Sequence, residues 1–260
     1  MKEKMERACQ WIKENKKLQV LLIVGAVLAV VGIVSVLLGT YLTGWSGFHF
    51  YDKPQDGDIK IACVGDSITY GFGVNNYGKN NYPKQLDTLL GDGYCVNNFG
   101  HSGATAQSKG DQPYYSYSEY EKSLEFDADI LILMMGTNDS KPYNWVDEAT
   151  FKAEYINLIN AYKKQNPDIR VILCTPATSY MVEDNAEGLT SFDICPERCD
   201  LIAEIVTDIA NEYGYELIDI NTATKDNPAL FIDDMVHPNV DGATLIAKTI
   251  YAYLMETQNS

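Results

Sequence analysis

Between Lys17 and Asp52 the chain carries no charged residue, and from Val20 to Gly39 it is one apolar run interrupted only by Ser35. No other feature restricts the fold as much. Twenty helical residues extend about 30 Å, the thickness of the hydrocarbon core of a bilayer. A helix buried in a soluble core is the alternative, but apolar runs of about 18 residues or more normally cross a membrane. A cleavable signal peptide has an apolar region of about 7–15 residues followed by a small-residue cleavage site. Here the run is longer and leads into Gly39-Thr40-Tyr41-Leu42-Thr43-Gly44-Trp45, a poor cleavage site. The expectation is an uncleaved signal anchor over 18–42. The basic residues Lys2, Lys4, Arg7, Lys13, Lys16 and Lys17 all precede it. Residues 1–17 should then be a cytoplasmic tail, and everything after the single pass should lie outside the cell membrane.

The rest of the chain has a different character. Six of the 20 basic residues and three of the 36 acidic ones fall in 1–42, leaving 14 against 33 beyond it, a net charge of -19. Such a domain has nothing to neutralise phosphates with, so nucleic acid is not an expected partner. An apolar content of 46% supports a sizeable core and excludes wholesale disorder. Gly44, Gly47, Pro54 and Gly57 mark a linker over 43–57, and 58–260 is read as one globular domain. Cys63, Cys95 and Cys174 fall in apolar runs and read as buried small hydrophobes. Cys195 and Cys199 could form a disulfide outside the cell or stay unlinked. No C-x-x-C pair or His/Cys cluster suggests a metal.

From Ile59 onward short apolar runs alternate with helical patterns. The runs are Ile59–Val64, Tyr94–Phe99, Ile130–Met135, Val171–Cys174 and Leu217–Ile220. Phe151, Tyr155, Leu158, Ile159 and Tyr162 recur at helical spacing, and a last helix is expected from Gly242 to Met255 with Ala243, Leu245, Ile246, Ile250 and Leu254 inward. Alternating strands and helices imply an α/β domain with a parallel sheet covered on both faces. Such sheets bind ligands at the carboxyl ends of their strands.

The segments at those ends carry complementary chemistry. Gly65-Asp66-Ser67-Ile68-Thr69 follows the first run, and Asn98-Phe99-Gly100-His101-Ser102-Gly103-Ala104-Thr105 closes the second. Gly136-Thr137-Asn138-Asp139 follows the third, and Asp233-Asp234-Met235-Val236-His237-Pro238-Asn239 precedes the last helix. A serine hydroxyl needs a base to become a nucleophile. Imidazole can serve near neutral pH, with a carboxylate on its other nitrogen. Asp234 and His237 are three apart, so one short segment can supply both. Donors for a developing oxyanion are the N–H groups of Ser67 and Gly103 and the amide of Asn138. Each block alone is a plausible turn; all four, in order, at strand ends, make coincidence an inadequate account.

On these blocks the chain resembles the SGNH hydrolases, also called GDSL-like esterases and lipases. The resemblance covers about residues 58–256. It implies Ser67 as nucleophile, His237 as base, Asp234 as the triad acid, and Ser67, Gly103 and Asn138 as the oxyanion hole. It implies a three-layer α/β/α sandwich with a five-stranded parallel sheet in flavodoxin-like order; the apolar run adds one N-terminal transmembrane helix that carries it. It implies no metal and no organic cofactor. Thr69 departs from the leucine in the family's second name, and this variant looks like the branch rich in carbohydrate esterases. The expected activity is hydrolysis of O-acyl, chiefly O-acetyl, esters of carbohydrates or other small esters. The rivals are a lysophospholipase or acyl-thioesterase, a glycan O-acyltransferase, and a carbohydrate-binding module on an inactive hydrolase fold.

Gly100-His101-Ser102-Gly103-Ala104 imitates a lipase nucleophile elbow but has Ala104 where G-x-S-x-G needs its last glycine. Asp233 competes with Asp234 as triad acid, and the spacing to His237 favours Asp234. Asp66 and Asp139 are expected to hold turns. His101, Tyr115 and Trp145 are candidate substrate contacts, among loop aromatics that include Tyr70, Phe72, Tyr114, Tyr143 and Tyr180. The connection between Thr175 and Ile194 could wall the cleft. The sequence does not indicate an oligomeric state.

Overall fold

A computed structural model describes residues 2, 5–6, 11, 15–43, 51–181, 188–190 and 192–258. Most of the expected basic tail and the middle of the expected linker, including Gly44, Gly47 and His49, lie outside the described residues. Helix α1 spans Lys16–Thr43. Within it Gln19–Gly39 is long and apolar enough to cross a membrane, and none of that segment is buried.

The sheet follows from the apolar runs. Its strands are β1 (Ile59–Gly65), β2 (Tyr94–Gly100), β3 (Ile130–Met134), β4 (Arg170–Cys174) and β5 (Glu216–Ile218). All pairs are parallel, in the order β2-β1-β3-β4-β5, the expected flavodoxin-like order. Ile61 pairs with Val96 on one side and with Ile130 on the other. At the β5 edge Arg170 donates through Nε and Nη2 to the two Glu216 oxygens at 2.7 and 2.6 Å, a bidentate pair that pins two neighbouring strands.

Successive side chains of a strand point to opposite faces, and the core divides accordingly. Ala62, Val64, Leu131 and Leu133 face one side, where they pack with Phe151, Tyr155, Leu158, Ile159 and Tyr162 of one helix and Ile202, Val206 and Ile209 of another. Ile61, Cys63, Ile130, Ile132 and Ile172 face the other, against Leu86, Ile246, Ile250 and Leu254. The covering helices, in chain order after α1, are α2 (Ser67–Tyr70), α3 (Tyr77–Asn80), α4 (Tyr82–Leu90), α5 (Ser118–Glu125), α6 (Glu148–Gln165), α7 (Pro196–Tyr213), α8 (Ile220–Thr224) and α9 (Val240–Gln258). Helices α6 and α7 cover the first face; α4 and α9 cover the second. Filled cores of this kind lose about 2–5 kcal/mol when one leucine is cut to alanine.

Two expectations need correction. The fifth run does not continue to Ile220: Asp219 accepts the Thr222 N–H at 3.0 Å and starts α8, so the strand ends at Ile218. The last helix is longer than Gly242–Met255, and Leu245 is only partly buried while Ala247 is fully so. Of the two states left open for Cys195 and Cys199, the structure has them unlinked. They occupy the N-cap and first turn of α7, where the Cys199 N–H reaches the Cys195 carbonyl at 2.9 Å.

Candidate active site

The carboxyl end of β1 turns sharply into α2. A side chain at Gly65 would place a Cβ 2.0 Å from the Thr69 Oγ1 and 2.6 Å from the Met134 carbonyl, so only glycine lets the first turn of α2 fold back on the strand. Asp66 caps that turn, its Oδ1 accepting the Ile68 N–H at 2.9 Å. Burial pushes the Asp66 carboxyl up from its ordinary value despite this bond. Thr69, the departure from the family pattern, is buried and lies 3.1 Å from the Tyr82 hydroxyl. From β2, Asn98 donates to the carbonyls of Thr69 and Tyr70 at 2.8 and 3.2 Å, fixing the far end of α2.

These constraints hold Ser67 at the rim. Its Oγ is 2.8 Å from His237 Nε2, and His237 Nδ1 is 2.8 Å from Asp234 Oδ2. An ionised carboxylate only accepts, so Nδ1 carries the ring proton and Nε2 is left to accept from the serine. Asp234 Oδ1 also accepts the N–H groups of Val236 and His237, both at 2.9 Å. Burial works to raise the Asp234 carboxyl, but its hydrogen bonds and the adjacent imidazole outweigh that and hold it below the ordinary aspartate value. Asp233, the rival acid, is exposed. Met235 takes a left-handed backbone (φ 59°), which tightens the turn between acid and base.

The donors for an oxyanion converge from three strand ends. Neither the Ser67 N–H nor the Gly103 N–H has an acceptor among the described residues. Gly103 has φ +85°, and an added Cβ would meet the Gln112 amide nitrogen at 2.6 Å. Asn138 donates one amide hydrogen to the Ala104 carbonyl at 3.1 Å, which leaves the other hydrogen unused. Asp139 ties this block to the Gly103 loop by accepting the Ala106 and Gln107 N–H groups at 3.0 and 2.9 Å. Burial outweighs those bonds and pushes the Asp139 carboxyl up to about 6.

Ser67, Gly103, Asn138 and His237 open on one cleft of about 230 Å³, with Ser102, Gln112, Thr137, Lys141, Phe72, Phe192, Ile194 and Val236 as the other lining residues. Ser102 is in the cleft, but it is Ser67 that His237 meets. Phe72 and Phe192 flank the imidazole, with ring centroids 4.5 and 5.3 Å from it. Phe192 and Ile194 close the connection that follows β4; residues 182–187 and 191 of that connection lie outside the described residues. A larger polar cavity of about 480 Å³ lies beyond β4 and β5, lined by Asp200, Asp208, Asp219 and Lys225 among others, with no serine or histidine among the described residues that line it. Among the described residues no group of three His, Cys, Asp or Glu could hold a metal ion.

The three candidate substrate contacts are not brought to the cleft. His101 turns away, 3.2 Å from Glu119 and stacked on Tyr117 at 3.5 Å. Tyr115 packs on the core and donates to the Glu154 carbonyl at 3.3 Å. Trp145 packs against Phe151 under the Arg198 guanidinium. Each has found a polar or cationic partner elsewhere, which loop position alone does not reveal. Tyr70 and Tyr114 are buried, and Tyr180 donates to the Thr224 carbonyl. No sequence motif marks Phe192, Gln112 or Lys141 as cleft residues.

Residues 63–245 match the GDSL-like lipase/acylhydrolase family. The chain is 33% identical over 219 residues to an acetylxylan esterase from Xylanibacter ruminicola, a match covering 76% of this chain and 44% of that protein. The chain thus spans less than half the length of that relative. Among solved structures it is similar to an acetyl xylan esterase, with TM-score 0.58 and 25% identity over 75% of this chain and all (100%) of that one. It is also similar in fold to a carbohydrate acetylesterase from Sinorhizobium meliloti, with TM-score 0.63 and 16% identity over 76% and 99% of the two chains.

Proposed function

Because the chain belongs to the GDSL-like lipase/acylhydrolase family, we propose that it is a membrane-anchored serine esterase that removes O-acetyl groups from carbohydrates. The observation that carries this reading is the line of contacts Asp234–His237–Ser67, with both steps at 2.8 Å, opening on a cleft that also receives unengaged donors.

Ser67 Oγ attacks the ester carbonyl while His237 Nε2 takes its proton. The oxyanion is held by the Ser67 and Gly103 N–H groups and the free amide hydrogen of Asn138. The bond to the sugar oxygen breaks, and His237 returns the proton to that alcohol. Water then attacks the acetyl-enzyme with His237 as base, and acetate leaves. Asp234 holds the tautomer throughout. No step calls on a metal or organic cofactor.

Three considerations support an acetylated carbohydrate. The relative at 33% identity is named for acetylxylan, the acetyl xylan esterase structure is similar along its whole length, and a cleft of about 230 Å³ suits a short acyl group. The span within 18–42, with the basic tail at 1–17 inside and the linker at 43–57 outside, would present the domain at 58–260 to extracytoplasmic glycans.

The test uses the full chain in detergent with 4-nitrophenyl acetate and octanoate. Faster acetate hydrolysis that disappears in Ser67→Ala is expected. Preference for octanoate would move the substrate to lipids, and turnover surviving Ser67→Ala would remove the proposed nucleophile.

A further inference from the structure

Lys141 is 7% exposed, yet it lines the same cleft as Ser67 and His237. Its backbone is locked: the Lys141 N–H donates to the Asn138 carbonyl, and its own carbonyl accepts the N–H groups of Asn144 and Trp145, each at 3.0 Å. Its ammonium lies 5.9 Å from the centre of the Tyr143 ring and makes neither an ion pair nor a hydrogen bond among the described residues. Lysine is rarely buried without a partner. Elsewhere in the domain Lys60, Lys84, Lys152 and Lys225 are more exposed, and each has a carboxylate within 4 Å. Lys141, buried in the cleft, has no carboxylate within 4 Å among the described residues. Asp66 feels its charge and its buried Oδ2 has no hydrogen-bond partner among the described residues, but the two groups are not within 4 Å and no ion pair forms.

We propose that Lys141 is a specificity residue that binds a carboxylate carried by the sugar beside the esterified hydroxyl. The preferred substrates are then acetylated acidic carbohydrates, with a uronate group, rather than neutral acetylated sugars. This inference rests on the esterase reading and narrows it. A carboxylate fits better than a phosphate because one ammonium matches a monoanion. Among the described residues no arginine lines the cleft, whereas a phosphate monoester carries about -1.5 to -2 charges. The chain's net charge of -16 repels anions at long range, so the selection must come from this short contact.

The full chain in detergent is offered methyl 4-O-acetyl-xyloside and methyl 4-O-acetyl-glucuronide in competition, and acetate release from each is followed by NMR. The glucuronide is expected to be preferred by about tenfold or more, as for a hydrogen bond to a charged group. The preference should fall to about one in Lys141→Met. A wild-type ratio near one, or a ratio unchanged in Lys141→Met, overturns the proposal.

A second measurement needs neither that variant's folding nor turnover. Ser67→Ala protein is titrated with unacetylated methyl glucuronide and methyl xyloside. Tighter binding of the glucuronide is expected, and equal binding overturns the proposal. Binding preference without any ester hydrolysis would overturn the esterase reading and leave the carboxylate site standing. Hydrolysis without preference would do the reverse.

Discussion

Asp234→Asn changes one atom of the site, and its consequence follows from the hydrogen bonds around it. Asp234 Oδ1 receives two backbone N–H groups at 2.9 Å, and Oδ2 receives the His237 ring proton at 2.8 Å. In the variant two N–H donors must still face an oxygen, so the amide oxygen takes the Oδ1 place. The NH₂ group then points at His237 Nδ1, which has to accept. The ring proton moves to Nε2, and Ser67 meets a donor where it needs a base. A reversed tautomer of this kind costs about 10⁴ in kcat, equivalent to about 5.5 kcal/mol. The shape and both backbone bonds are kept, so a Tm fall of only a few degrees is expected. The assay is kcat for 4-nitrophenyl acetate at pH 7, with thermal unfolding alongside and the exposed neighbour variant Asp233→Asn as comparison. A loss under tenfold in Asp234→Asn, or a larger loss in Asp233→Asn, would refute the tautomer argument.

Asn138→Ala removes the free amide hydrogen and is expected to lower kcat by about 10²–10³; a few-fold loss would remove Asn138 from the oxyanion hole. Gly103→Ala adds strain at φ +85° and a contact at 2.6 Å with Gln112, and should cost about 1–2 kcal/mol in urea unfolding. Its displaced N–H should lower kcat by about 10²-fold, and Gln112→Ala in the same chain should not restore it. Asp139→Asn tests burial. The folded carboxyl titrates near 6 rather than 3.8, so the unfolded chain gives up its proton first. The stability this group contributes is present below about pH 4 and is lost as pH rises through 6. The displacement corresponds to about 3 kcal/mol. Urea unfolding at pH 4 and pH 7 should show the wild type losing about that much relative to Asp139→Asn, and a pH-independent difference would contradict it.

The fold was legible because the apolar runs have strand length and sit between amphipathic helices. Ile61 and Cys63 pack on one face of the sheet while Ala62 and Val64 pack on the other, so β1 had to read as a continuous run. Apolar character continues to Ile220, but Asp219 ends the strand by capping a helix that starts there. Ser67, Gly103, Asn138, Asp234 and His237 were legible because each sits in a short segment at a strand end or before the last helix, and the parallel topology gathers those segments. Residues that merely line the cleft were legible only in part: Phe72 is among the loop aromatics, whereas no motif marks Phe192, Gln112 or Lys141. His101 found Glu119 and Tyr117, Trp145 found Arg198, and Phe192 reached the imidazole instead. These choices are made by tertiary contacts between segments far apart in sequence, which no local pattern encodes.

The central claim is that Ser67 is the nucleophile activated by His237. A 4-nitrophenyl alkylphosphonate tests it directly, because an activated serine displaces nitrophenolate and keeps the phosphonyl group. Incubated with the full chain and digested for mass spectrometry, it should leave one adduct, on the peptide containing Ser67, and His237→Ala should prevent its formation. An adduct on Ser102, or labelling that persists without His237, would contradict the account.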